Sequence, residues 1–249
     1  MDNASGDGTA DRVAALAPAA RVVRNAANLG FGAGCNAGLA CVGTEFALLL
    51  NPDARLAPGA LGALVAAADR FPDAAILGPA IRAPDGRLVR SCNAGHARRG
   101  TLPRQRGTEP WPEGPVCMDF VSGAAMLVRR ADGLRFDEAL FLFYEDDEIC
   151  AAARARGRSV IYVPEATVHH AGGKSSAPSL RIRWRKAFHM ARSRQVFGAR
   201  HGGTDAGARL RRHAWKALGH ALVLQWGRLV EDLAGMAGTL SWLRDRGAR

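Results

Sequence analysis

Four consecutive acidic residues, Glu145 to Glu148, directly follow a run of large apolar residues at positions 141–144. Such an apolar lead-in is uncommon beside a surface acid cluster, and it should anchor the segment in a hydrophobic core. The carboxylates would then lie at the rim of that core, where a carboxylate can accept a proton from a substrate or face a cation. The segment is therefore a candidate site for acid–base or metal chemistry.

A second acid lies upstream in a similar setting. Residues 46–50 are an apolar run that predicts a buried strand, and the tripeptide Asn-Pro-Asp follows it and ends at Asp53. Ligands of open α/β sheets bind beyond the strand ends, which is where this order places Asp53. The tripeptide on its own is more typical of an ordinary turn. Two acids that each end an apolar segment together predict a metal-dependent transfer enzyme.

Strands and helices alternate over residues 1–177, which predicts an α/β fold with a mostly parallel sheet. Strands are predicted over 21–24, 46–50, 74–81, 116–129 and 159–163, and helices over 9–17, 58–71 and 145–157, with a Gly- and Asn-rich loop that runs into a helix over 25–38. Gly78-Pro79 should break the third strand, and Pro164 should end the last one. Residues 83–116 predict a long excursion with a short hairpin at Asp85-Gly86.

The net charge of +11 is confined to the C-terminal part of the chain. Residues 178–249 hold 15 Lys/Arg and 4 Asp/Glu, whereas the two signs balance over residues 1–177. From Ser179 to Phe197 the pattern is helical and basic, and from Trp215 onward apolar residues recur at steps of three and four, which marks one helical face. Four glycines in this stretch argue against a single unbroken helix. A basic amphipathic tail suits an anionic membrane surface or nucleic acid.

The five cysteines form no C-x-x-C pair and have no zinc-ligand spacing, which predicts free thiols in a reducing compartment. No stretch has the pattern of a signal peptide, and no apolar run reaches the roughly 18 residues that a membrane span needs. We therefore expect a cytoplasmic protein.

Seven short motifs follow one another along the first 176 residues. They are DNASGDGT at 2–9, NLGFGAGCN at 28–36, LLNPD at 49–53, SGAAM at 122–126, FDE at 136–138, YEDDEIC at 144–150 and HHAGGKSS at 169–176. In this order they resemble the family 2 glycosyltransferases, and within them the bacterial rhamnosyltransferase-like group. The resemblance implies a GT-A fold and transfer of a sugar from a nucleotide-sugar donor.

The resemblance also implies roles for the acids and a histidine. Asp53 matches the last acid of the metal-binding motif, and Mg²⁺ or Mn²⁺ is the implied cofactor, because a diphosphate leaving group needs a divalent cation. The spacing to Ser175 matches His170 to a histidine near the metal or diphosphate, although a structural histidine is equally open. Asp146 matches the base that deprotonates the acceptor hydroxyl, with Glu145 beside it. Asp147 and Glu148 fit a charged helix N-terminus.

Two further sets of residues are implied by the same resemblance. The set that lines the donor pocket comprises Asp2, Asn28, Gly30, Phe31, Gly34, Asn36 and Asn51. The set on the acceptor side comprises Ser122, Gly123 and Ala124. For the glycine-rich loop, a tight turn without ligand contact is an equally good interpretation.

Members of the family usually begin with an apolar strand before the DNASGDGT motif, whereas this sequence starts one residue before it. The resemblance thus implies a GT-A-like domain over 1–177 that is N-terminally truncated, followed by a basic amphipathic helical extension over 178–249. A start site assigned too late would explain the missing strand.

The resulting expectation is a metal-dependent, inverting hexosyltransferase. Its leading donor is deoxythymidine-diphosphate rhamnose (dTDP-rhamnose), and its acceptor is a glycan or a lipid-linked glycan. The alternatives are an inactive remnant and a protein whose basic tail binds nucleic acid or an anionic membrane. The membrane is favoured over nucleic acid, since many acceptors of this family are lipid-linked, and the expected location is cytoplasmic at the inner face of the cell membrane.

Overall fold

The structure, a computed structural model, describes residues 1–93, 111–172 and 179–247. The chain divides into two compact units, of which the first contains Met1–Glu138 and Glu145–Ser175. The second contains Ala139–Tyr144 and Ser176–Arg249. The helical tail expected over 178–249 thus makes up most of the second unit, and the short segment Ala139–Tyr144 adds to it.

The first unit contains both helices and strands. The helices are α1 (Thr9–Leu16), α2 (Phe31–Leu39), α3 (Ala60–Arg70) and α4 (Glu145–Ala155). The strands are β1 (Phe46–Leu50), β2 (Ala54–Leu56), β3 (Ala74–Arg82), β4 (Leu88–Val89), β5 (Cys92–Asn93), β6 (Val116–Cys117), β7 (Phe120–Val121), β8 (Ala125–Arg129) and β9 (Ser159–His170). The strand predicted over 46–50 is confirmed at both ends. The predicted strand over 21–24 is reduced to one bridge between Asp2 and Arg24, and the predicted strand over 116–129 is divided into three.

The main sheet is mixed. Its strands lie in the order β1-β8-β3-β9-β2, with β4 beside β3 and β6 beside β9. Among the described pairings of this sheet, β3 with β9 is parallel and the others are antiparallel. The α/β class is confirmed, but the mostly parallel arrangement is not found. No helix lies between β6, β7 and β8, so the alternation of strands and helices that predicts a parallel sheet does not hold in this stretch.

The two prolines that were expected to interrupt strands lie at one irregularity. β3 is continuous across Pro79, and β9 is continuous across Pro164 as far as His170. Pro79 pairs with Val163, and the next pair is Ala80 with Thr167. Residues 164–166 of β9 therefore have no partner on β3. A bulge tolerates proline because the missing N–H is not needed for the ladder there. The strand end predicted at Pro164 is therefore wrong, whereas the break predicted at Gly78-Pro79 corresponds to this irregularity within a continuous β3. The hairpin predicted at Asp85-Gly86 is confirmed by the pairing of β3 with β4.

Both faces of the sheet are buried, which explains why its central strands are apolar without alternation. On one face, Ile76, Val128 and Val160 pack with Ile149 of α4 and with part of α2. On the other face, the residues next to them in sequence pack against α3: Leu77, Leu127 and Ile161, with Leu64 and Ala68 of the helix. The sheet is therefore held between two helical layers, and its strand ends are left to form a site.

The described part of the second unit consists of three helices and the segment Ala139–Tyr144. The helices are α5 (Leu180–His201), α6 (Ala206–Leu222) and α7 (Trp226–Gly247). Ser179 caps α5, because its hydroxyl accepts a hydrogen bond from the N–H of Ile182 at 3.2 Å. None of the helices in the described ranges is long and apolar enough to cross a membrane.

The sequence predicted that the apolar residues from Trp215 onward form one helical face. The structure instead divides them between α6 and α7. The chain turns between α6 and α7, where Leu224 has a φ of 54°. α7 packs back against α6 and also against α5. The contact faces of α6 and α7 use small and polar residues, so the large apolar side chains of the pattern lie mostly on the outside.

Gly238 on α7 allows the close approach of α5. A Cβ at this position would lie 2.2 Å from the carbonyl oxygen of Phe188. Gly238→Ala should therefore lower the free energy of unfolding by about 2 kcal/mol or more, since the backbone of α5 would have to move. Urea or thermal unfolding measures the change.

Gly219 on α6 is the matched control for this substitution. A Cβ at Gly219 meets nothing within 4 Å, so Gly219→Ala should raise the free energy of unfolding by up to about 1 kcal/mol through helix propensity alone. Equal effects of the two substitutions would contradict the packing of α7 on α5.

Candidate active site

The turn that follows β1 brings Asp53 to the end of β9. The N–H of Asn51 donates to the carbonyl of Ala124 at 3.0 Å, which fixes the start of the turn. The Nε2 of His170 lies 3.1 Å from Oδ1 of Asp53 and 3.4 Å from Nδ2 of Asn51. The side chains of Asp53 and His170 are 14% and 20% exposed. The structure thus brings the two predicted metal ligands together in a partly shielded position.

His170 and not His169 makes this contact, since neighbouring residues of a strand point to opposite faces. The spacing argument that favoured His170 used Ser175, which lies outside the described residues. The contact with Asp53 is an independent reason for the same choice.

The donor atoms around Asp53 fit a divalent cation that also binds phosphate. Mg²⁺ and Mn²⁺ take carboxylate oxygens, and both usually keep positions for phosphate oxygens and water. An imidazole nitrogen is a common ligand for transition metals. Within residues 1–93, 111–172 and 179–247, no group of three or more His, Cys, Asp or Glu could hold a metal ion. Asp53 and His170 are thus the two side chains here that could bind such an ion.

The acid cluster forms the first turn of α4. Phe143 and Tyr144, just before it, have φ values of 68° and 66°, which are uncommon for bulky residues and indicate a strained approach to the helix. Glu145 is 6% exposed and Asp147 is 1% exposed, whereas Asp146 is only partly buried. Of the two predicted catalytic acids, Asp146 is therefore the accessible one, and burial favours a supporting role for Glu145. Asp147 and Glu148 lie in the first turn of the helix, as expected, and Asp147 is in addition buried.

Backbone groups hold the carboxylate of Asp146. The N–H of Gly123 donates to Oδ2 at 3.2 Å, and the N–H of Asp147 donates to Oδ1 at 3.1 Å. A Cβ at Gly123 would lie 3.2 Å from the Cβ of Asp146 and 3.4 Å from the ring of Phe31. A side chain at position 123 would therefore require Asp146 or Phe31 to shift by a few tenths of an ångström.

The three residues predicted on the acceptor side differ in access. Ser122 is partly exposed, and its hydroxyl accepts a hydrogen bond from the N–H of Ala124 at 3.2 Å. Gly123 and Ala124 are buried. Ser122 alone of the three has a side chain that can meet an acceptor, and the other two support the turn.

A single pair of strands connects Asp53 with Asp146. β1 pairs with β8, and Leu50 at the end of β1 faces Ala125 at the start of β8. Asp53 lies three residues beyond Leu50, and Asp146 is hydrogen-bonded to Gly123, two residues before Ala125. Both acids therefore lie at the same edge of the sheet.

A cavity of about 700 Å³ lies on the β1 side of this edge. Four of the residues predicted to bind the donor line it, namely Asp2, Phe31, Gly34 and Asn51. Its volume is in the range of pockets that bind small molecules. Hydrogen bonds from Ser5, first from its side chain, hold the pKa of the Asp2 carboxyl below its usual value, so that acid is ionised at neutral pH.

Asn3 is a central residue of this region that the sequence reasoning did not single out. Its Oδ1 accepts hydrogen bonds from Nδ2 of Asn25 and from the N–H of Leu29, at 3.0 and 3.1 Å. Its Nδ2 donates to the carbonyl of Gly30 at 2.7 Å and to Oδ1 of Asn28 at 3.3 Å. Asn3 thus shapes the loop that carries Asn28 and Gly30. Its place beside Asp2 in the first motif was the available signal.

Asn36 supports the fold and does not line the cavity. It is 2% exposed, accepts a hydrogen bond from the N–H of Phe136 at 2.9 Å, and donates to the carbonyl of Phe136 and to Glu138. Its three hydrogen bonds fasten α2 to the loop before α4, which favours a positioning role over a contact with the donor.

Cys35 can be set aside as a nucleophile. Burial, with a smaller contribution from the charge of Glu145, raises the pKa of the Cys35 thiol to about 12. The thiol therefore stays protonated at neutral pH, and the thiolate is the reactive form.

Comparison with known proteins identifies the family of this chain. The sequence model of glycosyl transferase family 2 matches residues 1–132. An N-acetylglucosaminyl-diphospho-decaprenol L-rhamnosyltransferase of Mycobacterium tuberculosis, found in two strains, is 34% identical over 200 residues. The match covers 68% of this chain and 64% of the relative, so this chain spans less than two thirds of the length of the curated relatives it matches.

Two solved structures share the fold. The mannosyltransferase PcManGT from Pyrobaculum calidifontis, in complex with GDP-Man and Mn²⁺, has a TM-score of 0.54 and 16% identity over 98% of this chain and 77% of that chain. GalNAc-T7 with UDP, GalNAc and Mn²⁺ has a TM-score of 0.51 and 16% identity over 76% of this chain and 42% of that chain. At such identity the likeness establishes the fold alone, and it confirms the GT-A-like α/β expectation.

Proposed function

This chain belongs to glycosyl transferase family 2, and from that premise we propose that it is a metal-dependent, inverting glycosyltransferase. It moves a hexose from a nucleotide-diphosphate sugar to a hydroxyl group of a glycan or lipid-linked acceptor. The observation that carries the proposal is the shared sheet edge, where the Asp53–His170 pair and the backbone-held Asp146 are connected through β1 and β8.

Asp146 serves as the base in this proposal. As the acceptor oxygen forms its bond to the anomeric carbon, the carboxylate of Asp146 takes the hydroxyl proton. The bond from the anomeric carbon to the diphosphate breaks on the opposite side, the electron pair leaves with the nucleoside diphosphate, and the configuration at the anomeric carbon is inverted. The N–H groups of Gly123 and Asp147 keep the carboxylate in one orientation for that transfer.

Asp53 and His170 hold the cation in this proposal, with Mn²⁺ or Mg²⁺ as the candidates. When bound, the cation neutralises the charge of the leaving diphosphate. Both comparison structures contain Mn²⁺ in their complexes, which supports a divalent ion without fixing its identity. The donor extends from this point into the cavity lined by Asp2, Phe31 and Asn51.

Rhamnose is the proposed sugar, with dTDP-rhamnose as donor. The support is the 34% identity to a rhamnosyltransferase whose name gives N-acetylglucosaminyl-diphospho-decaprenol as its acceptor. A lipid-linked N-acetylglucosamine is accordingly the first acceptor to test for this chain.

A donor-hydrolysis screen tests the proposal. The full chain is incubated with dTDP-rhamnose, UDP-N-acetylglucosamine or GDP-mannose, with Mn²⁺, with Mg²⁺ or with EDTA, and release of nucleoside diphosphate is measured. We expect the fastest release from dTDP-rhamnose, with loss of the activity in EDTA and recovery on adding back the cation.

Each contrary result of the screen has one meaning. Release of nucleoside diphosphate that persists in EDTA would overturn the metal proposal. Faster release from another nucleotide sugar than from dTDP-rhamnose would overturn the rhamnose assignment. Absence of both release and nucleotide binding under all conditions would favour the inactive remnant.

A further inference from the structure

The outer surface of α6 and the turn after it carry large apolar side chains that no helix packing uses. The exposed fractions are 74% for Trp215, 54% for Leu218, 77% for Leu222, 60% for Val223, 66% for Leu224 and 62% for Trp226. These six residues are called the apolar tip below. We propose that the apolar tip, together with the basic residues beside it, binds an anionic lipid surface.

The opposite face of α6 shows that the tip is not simply the packing side of the helix. Imidazole Nδ1 atoms of His213 and His220 lie 2.9 and 2.7 Å from the carboxylate of Asp232 on α7. Ala217 is 8% exposed between them. A Cβ at Gly235 would lie 2.7 Å from the His213 ring, which shows how closely α6 and α7 approach. The contact to α7 is therefore complete without the apolar tip.

Between the acids Asp205 and Glu231, the charged residues of the stretch that contains the tip are all basic. Between Ala206 and Val230 the sequence has five Lys/Arg and no Asp/Glu. Arg211, Arg212 and Lys216 are exposed on α6. Arg211 and Arg212 lie four and three residues before Trp215, which places them beside Trp215 on the helix surface. A surface that combines exposed Trp and Leu with Lys and Arg can bury its apolar groups at the headgroup boundary while its charges meet anionic lipids.

Two other occupants fit the tip less well. A second copy of the chain on a two-fold axis would place the same basic residues against each other, which is unfavourable. Nucleic acid would use the charges, but Leu222, Val223 and Leu224 at the turn offer no hydrogen bonds to bases and no rings for stacking. Tryptophan is enriched at membrane interfaces, where one end of the side chain is apolar and the other is wet.

Co-sedimentation of the full chain with vesicles tests the inference. The vesicles consist of phosphatidylcholine with or without about one third phosphatidylglycerol, at about 0.15 M salt, where surface charges are partly screened. We expect binding to the anionic vesicles at least about tenfold stronger than to the neutral ones, because several basic residues contribute near the surface.

Variants separate the tip from the rest of the unit. Leu222→Ser combined with Trp226→Ser should weaken vesicle binding by about tenfold or more through loss of buried apolar area. The control is Leu233→Ser combined with Leu240→Ser, which removes two exposed leucines of α7 outside the tip (42% and 51% exposed), and it should leave binding unchanged. Circular dichroism verifies that both variants remain folded.

Three results would overturn the inference. They are equal binding by wild type and the Leu222/Trp226 variant, a concentration-dependent dimer in sedimentation velocity that this variant abolishes, and release of the protein from vesicles by random-sequence DNA at the same salt. No nucleotide sugar is present in these assays, so the outcome is independent of the proposed enzymatic function.

Discussion

Asp146→Asn should lower the turnover of sugar transfer by about 100- to 10,000-fold, the range that a positioned general base supplies. The substitution keeps the size of the side chain and one oxygen that can accept the hydrogen bond from Gly123, while the hydrogen bond from the N–H of Asp147 is lost. What is lost is the ability to take the proton of the acceptor hydroxyl. Single-turnover transfer from the preferred donor to an N-acetylglucosamine acceptor measures the effect.

A measurement of donor affinity and a matched variant are the controls for this prediction. Donor affinity of Asp146→Asn, measured by calorimetry, should stay within about tenfold of wild type, a difference below roughly 1.4 kcal/mol. Glu148→Gln in the same helical turn is the matched variant, since Glu148 is likewise only partly buried and has no proposed catalytic role. Near-normal turnover in Asp146→Asn, or an equal loss in Glu148→Gln, would refute the assignment of the base.

Asp53→Asn should lower metal-dependent transfer by at least about 100-fold, more than the 10- to 100-fold that loss of an outer-shell partner of a metal costs. An amide keeps the shape of the side chain but removes the charge that a divalent cation needs. The same variant should bind Mn²⁺ more weakly in the presence of nucleoside diphosphate, which electron paramagnetic resonance of free Mn²⁺ measures without any catalysis.

Asp85→Asn is the control for Asp53→Asn, because Asp85 lies on the β3–β4 hairpin turn with its side chain 66% exposed. It should change neither activity nor Mn²⁺ affinity. Unchanged Mn²⁺ affinity in Asp53→Asn would remove Asp53 from the metal site even if activity fell. In that case its contact with His170 at 3.1 Å would be structural.

Sequence reasoning located the strands better than it located their partners. Residues 46–50 were predicted at their observed bounds, because an apolar run that ends in Asn-Pro has few other structural solutions. The direction of β8 was missed, since the alternation of strands and helices breaks down over β6, β7 and β8, which have no helix between them. Pro79 was predicted to break one strand and Pro164 to end another, although the two lie at a single bulge. The sequence around one proline does not show whether the paired strand also has a proline at that level of the sheet.

The candidate site was predictable as a set of residues and less so as an arrangement. The sequence marked Asp53, Asp146 and His170, and the structure adds how they are held: backbone groups hold Asp146, and β9 brings His170 to Asp53. Which acids of the cluster are accessible could not be foreseen, because adjacent positions in a first helical turn differ in burial only through the elements packed around them. Asn3 was missed for the opposite reason, since its four hydrogen bonds join segments far apart in sequence.

The bulge at residues 164–166 decides which of two adjacent histidines meets Asp53. It inserts three residues into β9 relative to β3, and an odd number reverses the facing of every side chain that follows. Removal of a single residue there would turn His170 away and present His169 in its stead. The number of residues in this bulge therefore selects which of the two histidines faces Asp53.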